Sequence, residues 1–321
     1  MIPRSALTRL TFCHQAAPPM FVWACRQQTR AASSVMKPIE LHYDKVIPPD
    51  GNATDRPLVI LHGLFGSKRN FGSLSKAFAK DLDRPVYTLD LRNHGTSPHA
   101  EPHSYPAMAT DVLHFFKAHN LSNVSLLGHS MGGKVAMAVA LDPELPPALL
   151  THLIVADIAP ARGPLSPEFQ GYIEAMKRIE ASEVKTRQEA DRVLQPYEQV
   201  LDSNDPCQNP MTRAFLLMNL DHPTAHHQRP LKFRVPVGLL GDSIPEIGGF
   251  PWSPGERTFD GPALFIKGTK SKYINRHNVD TAKAFFPNMI LEELDAGHWG
   301  ESVDRVPNEF KTLVSDFIKS N

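Results

Sequence analysis

Residues 124–132 run Val-Ser-Leu-Leu-Gly-His-Ser-Met-Gly, an apolar strand entering a Gly-X-Ser-X-Gly pentapeptide centred on Ser130. Small helix-forming residues follow from Gly133 to Leu141. These parts explain one another. A strand that turns straight into a helix puts its corner residue in a strained backbone conformation. It also tolerates almost no side chain two residues to either side, where strand and helix would collide. Gly128 and Gly132 meet that demand. The corner serine then stands at the N-terminus of a helix, whose dipole favours developing negative charge. Ser130 is therefore the candidate nucleophile. The plainer alternative is a Gly-rich turn that happens to hold a serine, and the strand before it and helix after it weigh against that.

Outward from this corner, short apolar runs alternate with amphipathic stretches from Glu40 onward. That is the pattern of a doubly wound α/β domain with a mostly parallel sheet. The runs predict strands at 58–61, 85–89, 124–127, 152–156, 263–266 and 289–294. Helical spacing appears at 71–80, 105–120, 133–141, near 275–286 and at 306–318. Between about 161 and 256 the alternation stops. Charged, helix-like sequence gives way there to a loop-rich part, which reads as a helical cap inserted over the carboxyl edge of the sheet.

A serine hydroxyl is a poor nucleophile at neutral pH and needs a base to take its proton. Histidine is the usual one, since its pKa near 6.5 lets it accept and return a proton. Of 15 histidines, His298 follows a late strand, in a loop after Gly297, C-terminal to the serine. His129 lies inside the corner and reads as pointing elsewhere, and His62 reads as shaping a loop. The base in turn needs an acceptor for its other ring nitrogen. Asp157, at the carboxyl end of the strand after the nucleophile strand, fits that role. Asp295 shares a loop with His298 and reads as a turn residue, and Asp242 lies in the inserted region. The oxyanion of a tetrahedral intermediate needs two backbone donors. The amide of Met131 offers one, and the amide of Leu64, in the His62-Gly63-Leu64-Phe65-Gly66 loop after the first well-defined strand, offers the other.

Composition narrows the class further. A 41% hydrophobic content supports a large core, and no run of 18 apolar residues signals a membrane-spanning helix. The formal charge of zero hides a leader: residues 1–39 hold Arg4, Arg9, Arg26, Arg30 and Lys37 without one Asp or Glu. Such an Arg-bearing, Ser/Ala-rich start predicts a mitochondrial transit peptide over about 1–35. The expected location is mitochondrial, in the matrix or associated with the inner membrane. Cys13 and Cys25 fall in that leader and only Cys207 in the body, so neither a disulfide framework nor a thiolate metal cluster is expected. The mildly acidic body gives no electrostatic footprint for nucleic acid. No G-x-G-x-x-G or P-loop is present, and no cofactor or metal is expected.

The stretches HGLFGSKRNF (62–71), DLRNHGTSPH (90–99), GHSMGGKVAM (128–137), VADIAP (155–160) and AGHW (296–299) together resemble the α/β-hydrolase superfamily over nearly everything after residue 40. More narrowly, the chain resembles the bacterial YbfF-type esterases and their mitochondrial relatives. These are the abhydrolase domain-containing protein 11 group and the yeast ethanol acetyltransferases. TRQEAD (186–191) and FLLMNL (215–220) extend the likeness into the insertion. The superfamily's chain order is serine, acid, histidine. In many members the acid follows the strand that corresponds to 263–266, yet KGTKSKYI (267–274) contains no carboxylate. The YbfF and acetyltransferase branch implies Asp157 instead. In the human-type relatives the proposed acid falls in the inserted region, where this sequence offers Asp242.

The resemblance implies a serine hydrolase of carboxylic esters or thioesters working through an acyl-enzyme. Phe215, Leu216, Leu217, Phe250 and Trp252 are candidates to line its acyl pocket. An alternative is an alcohol acyltransferase, with acetyl-CoA as a possible donor substrate. A third, from another class, is a catalytically idle protein that protects mitochondrial enzyme complexes, which an intact Ser130, Asp157 and His298 set argues against.

Overall fold

The chain is described by a computed structural model over residues 36–52, 54, 56–201, 209–221, 229–298 and 307–321. The leader, Cys207 and Trp299 lie outside the described residues. Seven strands form one sheet: β1 (Tyr43–Val46), β2 (Leu58–Leu61), β3 (Val86–Leu89), β4 (Val124–His129), β5 (Leu150–Ala156), β6 (Ala263–Gly268) and β7 (Met289–Leu294). Their spatial order is β1-β3-β2-β4-β5-β6-β7. Every neighbouring pair is parallel except β1 with β3.

The unbroken apolar runs follow from burial on both faces. In β2, Leu58 and Ile60 enter one core cluster, while Val59 and Leu61 enter the other. The strand period of two thus serves two helical layers. On one face lie α1 (Gly72–Leu82) and the C-terminal helix α10 (Pro307–Ser320), supplying Leu74, Phe78, Phe310 and Val314. On the other lie α2 (Tyr105–Ala118), α3 (Met131–Ala140) and α9 (Val279–Phe285), supplying Met108, Val112, Val135 and Phe285.

Two elements differ from the sequence expectation. Strand β1 has no apolar run to announce it: Tyr43, Asp44 and Lys45 are exposed, and pairing with β3 alone makes it a strand. Helix α9 is shorter than 275–286, because Asn275 and Asn278 turn the chain before it. The Asn275 side chain accepts from the His277 amide, and the Asn278 side chain from the Asn275 amide, both at 2.9 Å.

Between β5 and β6 come α4 (Pro167–Ala181), α5 (Arg187–Leu201), α6 (Asn209–Leu217), α7 (Val237–Asp242) and α8 (Ile244–Gly248). Among the described residues this segment holds no strand, apart from an isolated bridge between Leu220 and Phe233. Helix α4 buries Phe169, Ile173, Met176 and Ile179, one stripe at helical spacing. No described helix is long and apolar enough to cross a membrane.

The topology already selects a place for chemistry. Strand β4 is central, with β2 on one side and β5 on the other. After β3 the chain returns to β4 and then progresses the opposite way across the sheet. Ligands of open α/β sheets bind at such a reversal, outside the carboxyl ends of the strands.

Candidate active site

Strand β4 ends at His129 and α3 begins at Met131, leaving Ser130 alone at the corner with φ 53° and ψ −119°. An L residue held there stores about 1–3 kcal/mol of strain. Ser130 is fixed by its own amide donating to Ala156 O at 3.0 Å and by its carbonyl accepting from the Lys134 amide at 3.1 Å. The flanking glycines are dictated by contact. A Cβ on Gly128 would land on the Gly132 carbonyl, and one on Gly132 would sit 2.5 Å from His62 O.

His298, on the loop after β7, places Nε2 2.9 Å from Ser130 Oγ and Nδ1 2.7 Å from Asp157 Oδ2. An ionised carboxylate only accepts, so Nδ1–H donates to Asp157 and Nε2 is left to accept the Ser130 hydroxyl. Asp157 follows β5 in a left-handed conformation, φ 53°, with its amide on Ile266 O at 2.7 Å. Its Oδ1 accepts from the Gly268 amide at 3.0 Å. Burial by itself raises the Asp157 carboxyl, but the hydrogen bond and charge of His298 outweigh that and hold it below the usual range. Asp295 turns outward onto Lys270 at 3.1 Å, and Asp242 is exposed at the end of α7. The structure therefore brings Ser130, His298 and Asp157 into one line. His129 turns away from the Ser130 hydroxyl, and its Nε2 contacts the His298 carbonyl at 3.1 Å. Burial first, then the neighbouring His298, lowers His129 to about 4, so this support is neutral.

The loop after β2 is held by two more neutral histidines. His62 donates from Nδ1 to Gly63 O at 2.8 Å and accepts the Leu91 amide on Nε2 at 3.0 Å. His94 donates from Nδ1 to Arg92 O at 3.0 Å and accepts the Phe65 amide on Nε2 at 3.1 Å. Burial lowers both pKa values, His94 strongly. Asn219, just past α6, donates to Phe65 O at 2.7 Å. Phe65, the residue after Leu64, is thus gripped at both its N–H and its C=O and held at φ 61°. Leu64, Ser130 and Met131 line one small hollow.

That hollow is closed from above by Leu165, Phe169 and Ile247 of the helical segment. The five pocket candidates named from sequence are not among its lining residues. Leu216 and Leu217 are buried in the main core, and Phe250 packs on Phe285 at 5.4 Å and on Trp252 at 5.8 Å between ring centres. Apolar spacing marks a buried face without saying what that face meets.

Sequence reasoning missed Lys134. Its Nζ donates to Ala161 O at 2.9 Å, Gly248 O at 3.2 Å and Gly249 O at 2.8 Å, pinning the helical segment to α3. Burial lowers it to about 8. A position four residues after Ser130, on the same helix face, was the available signal.

A strained serine on a strand–helix corner, hydrogen-bonded to a histidine whose far nitrogen meets a carboxylate, defines an α/β hydrolase when it stands on this sheet. The chain belongs to the α/β hydrolase fold family, whose profile matches residues 56–301. Among its relatives, the abhydrolase domain-containing protein C22H12.03 of Schizosaccharomyces pombe is 36% identical over 285 residues, covering 89% of this chain and 99% of that protein. A probable alcohol acetyltransferase of Saccharomyces cerevisiae is 34% identical over 88% of this chain and 84% of its own length. The sn-1-specific diacylglycerol lipase ABHD11 of Xenopus tropicalis is 36% identical over 88% and 83%. A solved marine microorganism esterase superposes with a TM-score of 0.74 at 33% identity, over 87% of this chain and 99% of that one.

Proposed function

We propose that this protein is a serine hydrolase that cleaves carboxylic esters or thioesters through an acyl group carried on Ser130. The observation that supports it most is the single hydrogen-bonded line from Ser130 Oγ through the His298 imidazole to Asp157. In this reading the serine oxygen attacks the substrate carbonyl carbon while His298 Nε2 takes the hydroxyl proton. The amides of Leu64 and Met131 receive the oxyanion. As the tetrahedral intermediate collapses, His298 returns the proton to the departing alkoxide or thiolate. Water then repeats the sequence, releasing the acid and restoring Ser130.

Transfer of the acyl group to an alcohol in place of water is the second reading, favoured by the 34% identical yeast relative. Labelling with a fluorophosphonate probe tests the shared step. Wild-type protein labels and Ser130→Ala does not. Labelling that survives the substitution would name another nucleophile, and unlabelled wild type would favour the idle binding protein. Supplying acetyl-CoA with and without ethanol then separates the two fates, as free acetate or as ethyl acetate. The acid-free leader supports import into mitochondria, and a fluorescent protein fused behind residues 1–35 should collect there.

A further inference from the structure

Tyr273 stands on the loop after β6 and lines two hollows at once, the small one beside Ser130 and a larger one of about 650 Å³ that opens beside His298. Its backbone is fastened on both sides. The amide meets Ser271 Oγ at 3.3 Å, and the carbonyl accepts from the Asn278 side chain at 2.9 Å. The ring lies over the His298 imidazole, 3.8 Å between centres and tilted by 30°.

The Tyr273 hydroxyl is buried and has no hydrogen-bond partner among the described residues. Buried polar atoms are almost always paired, and an orphan in the wall of a cleft calls for a ligand atom. Tyr105 lines the same small hollow, but its hydroxyl is spent on Ile247 O at 2.6 Å. Burial first, then the charges of Glu168 and Asp157, push the Tyr273 pKa upward. The phenol therefore keeps its proton at neutral pH and can donate it to a hydrogen bond.

The chemistry says which substrate atom comes within its reach. During acylation His298 Nε2 hands its proton to the leaving atom, so that atom lies on the His298 side of Ser130, where Tyr273 covers the imidazole. In deacylation the incoming water or alcohol takes the same place. An oxygen there has two lone pairs, one for the proton from His298 and one for a second donor. Sulfur is a weak acceptor.

We propose that the Tyr273 hydroxyl donates a hydrogen bond to the departing oxygen of an ester, and to the oxygen that replaces it, and so makes the site select oxygen over sulfur as the leaving atom. This rests on the acyl-Ser130 reading above and specifies which of its two substrate classes is preferred. No further reactant is needed. The C–O bond breaks toward oxygen, His298 supplies the proton, and Tyr273 keeps its own. The hydrogen bond strengthens as negative charge grows on that oxygen, so it favours the transition state over the bound substrate.

Tyr273→Phe removes the hydroxyl and keeps the ring over His298. Phenyl acetate and S-phenyl thioacetate share an acyl group and differ in the leaving atom, and kcat/KM reports the step in which that atom departs. Y273F should lower kcat/KM about tenfold on the oxygen ester, the weight of one hydrogen bond to a developing charge. On the thioester the loss should stay below about twofold. Because the hydroxyl has no partner among the described residues, the variant should melt no lower than the wild type. Equal losses on both substrates, or none on either, would overturn the proposal. A lower Tm, or failure to fold, would show the hydroxyl bonded within the protein and overturn it as well. Fluorophosphonate labelling of Ser130 keeps the two readings apart. If the wild type labels and hydrolyses both substrates while Y273F shows no change in selectivity, this inference falls alone. If the wild type neither labels nor turns over either substrate, the acyl-serine reading falls, and this one with it.

Discussion

The β4–α3 corner and the α4–α8 segment form facing walls of the same small hollow, yet different constraints shape them. At the corner each residue is held by its immediate neighbours: Gly128 and Gly132 by backbone approach, Ser130 by a strained turn. In α4–α8 the demand is only that one stripe be apolar, and the lean of the helices decides which apolar residues reach the site. Phe169 and Ile247 do, beside Leu165 from the loop just before α4, whereas Leu216 and Leu217 do not. The contrast separates two duties. A rigid wall carries the chemistry, where a small misplacement is expensive in rate. A packed wall sets the shape of what enters, and its residues can change while the helices keep their places.

Substitutions on both walls can break or sharpen this contrast. The largest effect is expected at the acid. Asp157→Asn should lower kcat on p-nitrophenyl acetate by roughly 10⁴-fold, as loss of the carboxylate does in such triads. Asp242→Asn should change it less than about threefold. The reverse order would move the acid to the helical wall and dissolve the distinction.

Next comes one and the same substitution made on each wall. Gly128→Ala forces a Cβ into the Gly132 carbonyl, and urea unfolding should show a loss above about 3 kcal/mol, in the range of severe overpacking, or no folded protein. Gly238→Ala in α7 meets nothing within 4 Å and should stabilise by about 0.4–1 kcal/mol. Equal costs would mean the helical wall is as locally constrained as the corner.

Lys134→Met severs the pin between the walls. Ala161 O and Gly249 O lose the donor that Lys134 supplies, which should cost about 1–3 kcal/mol of stability for each carbonyl left buried and unpaired. Because Ser130 keeps its own bonds, kcat/KM should fall through KM more than through kcat. A loss in kcat alone would place Lys134 in the chemistry.

The gentlest effect is a slope with pH. His129 and His103 are buried and lowered to about 4, in both cases first by burial; His298 acts next on His129, Arg92 on His103. The unfolded chain binds those protons near pH 6.5. Stability is therefore full above about 6.5 and is lost as pH falls from there toward 4, at up to about 1.4 kcal/mol per pH unit for each histidine. His103→Gln should make the acid limb of a Tm–pH curve shallower, and an unchanged limb would show that His103 is already charged in the fold.

Much of the molecule was legible in the sequence because its signals are local. Strands buried on both faces must be apolar runs, which exposes β2, β4, β5 and β6. Asp157 and His298 could be named because each closes a recognisable strand, although 141 residues separate them. Strand β1 escaped, since its exposed Tyr43-Asp44-Lys45 becomes a strand only through hydrogen bonds to β3. Asn219 and Lys134 escaped because their partners, Phe65 O and the carbonyls at 161, 248 and 249, lie 27 to 154 residues away. The residues expected to line an acyl pocket do not line the small hollow beside Ser130, because amphipathic spacing reports burial and not the neighbour.

By itself, then, the sequence determined the sheet, the strained serine corner and the family, through steric rules that act within a few residues. The tertiary structure decided which carboxylate meets His298 and which side chains close the small hollow. Those are distances between strand ends and helix faces. They exist only once the chain has closed around its two cores.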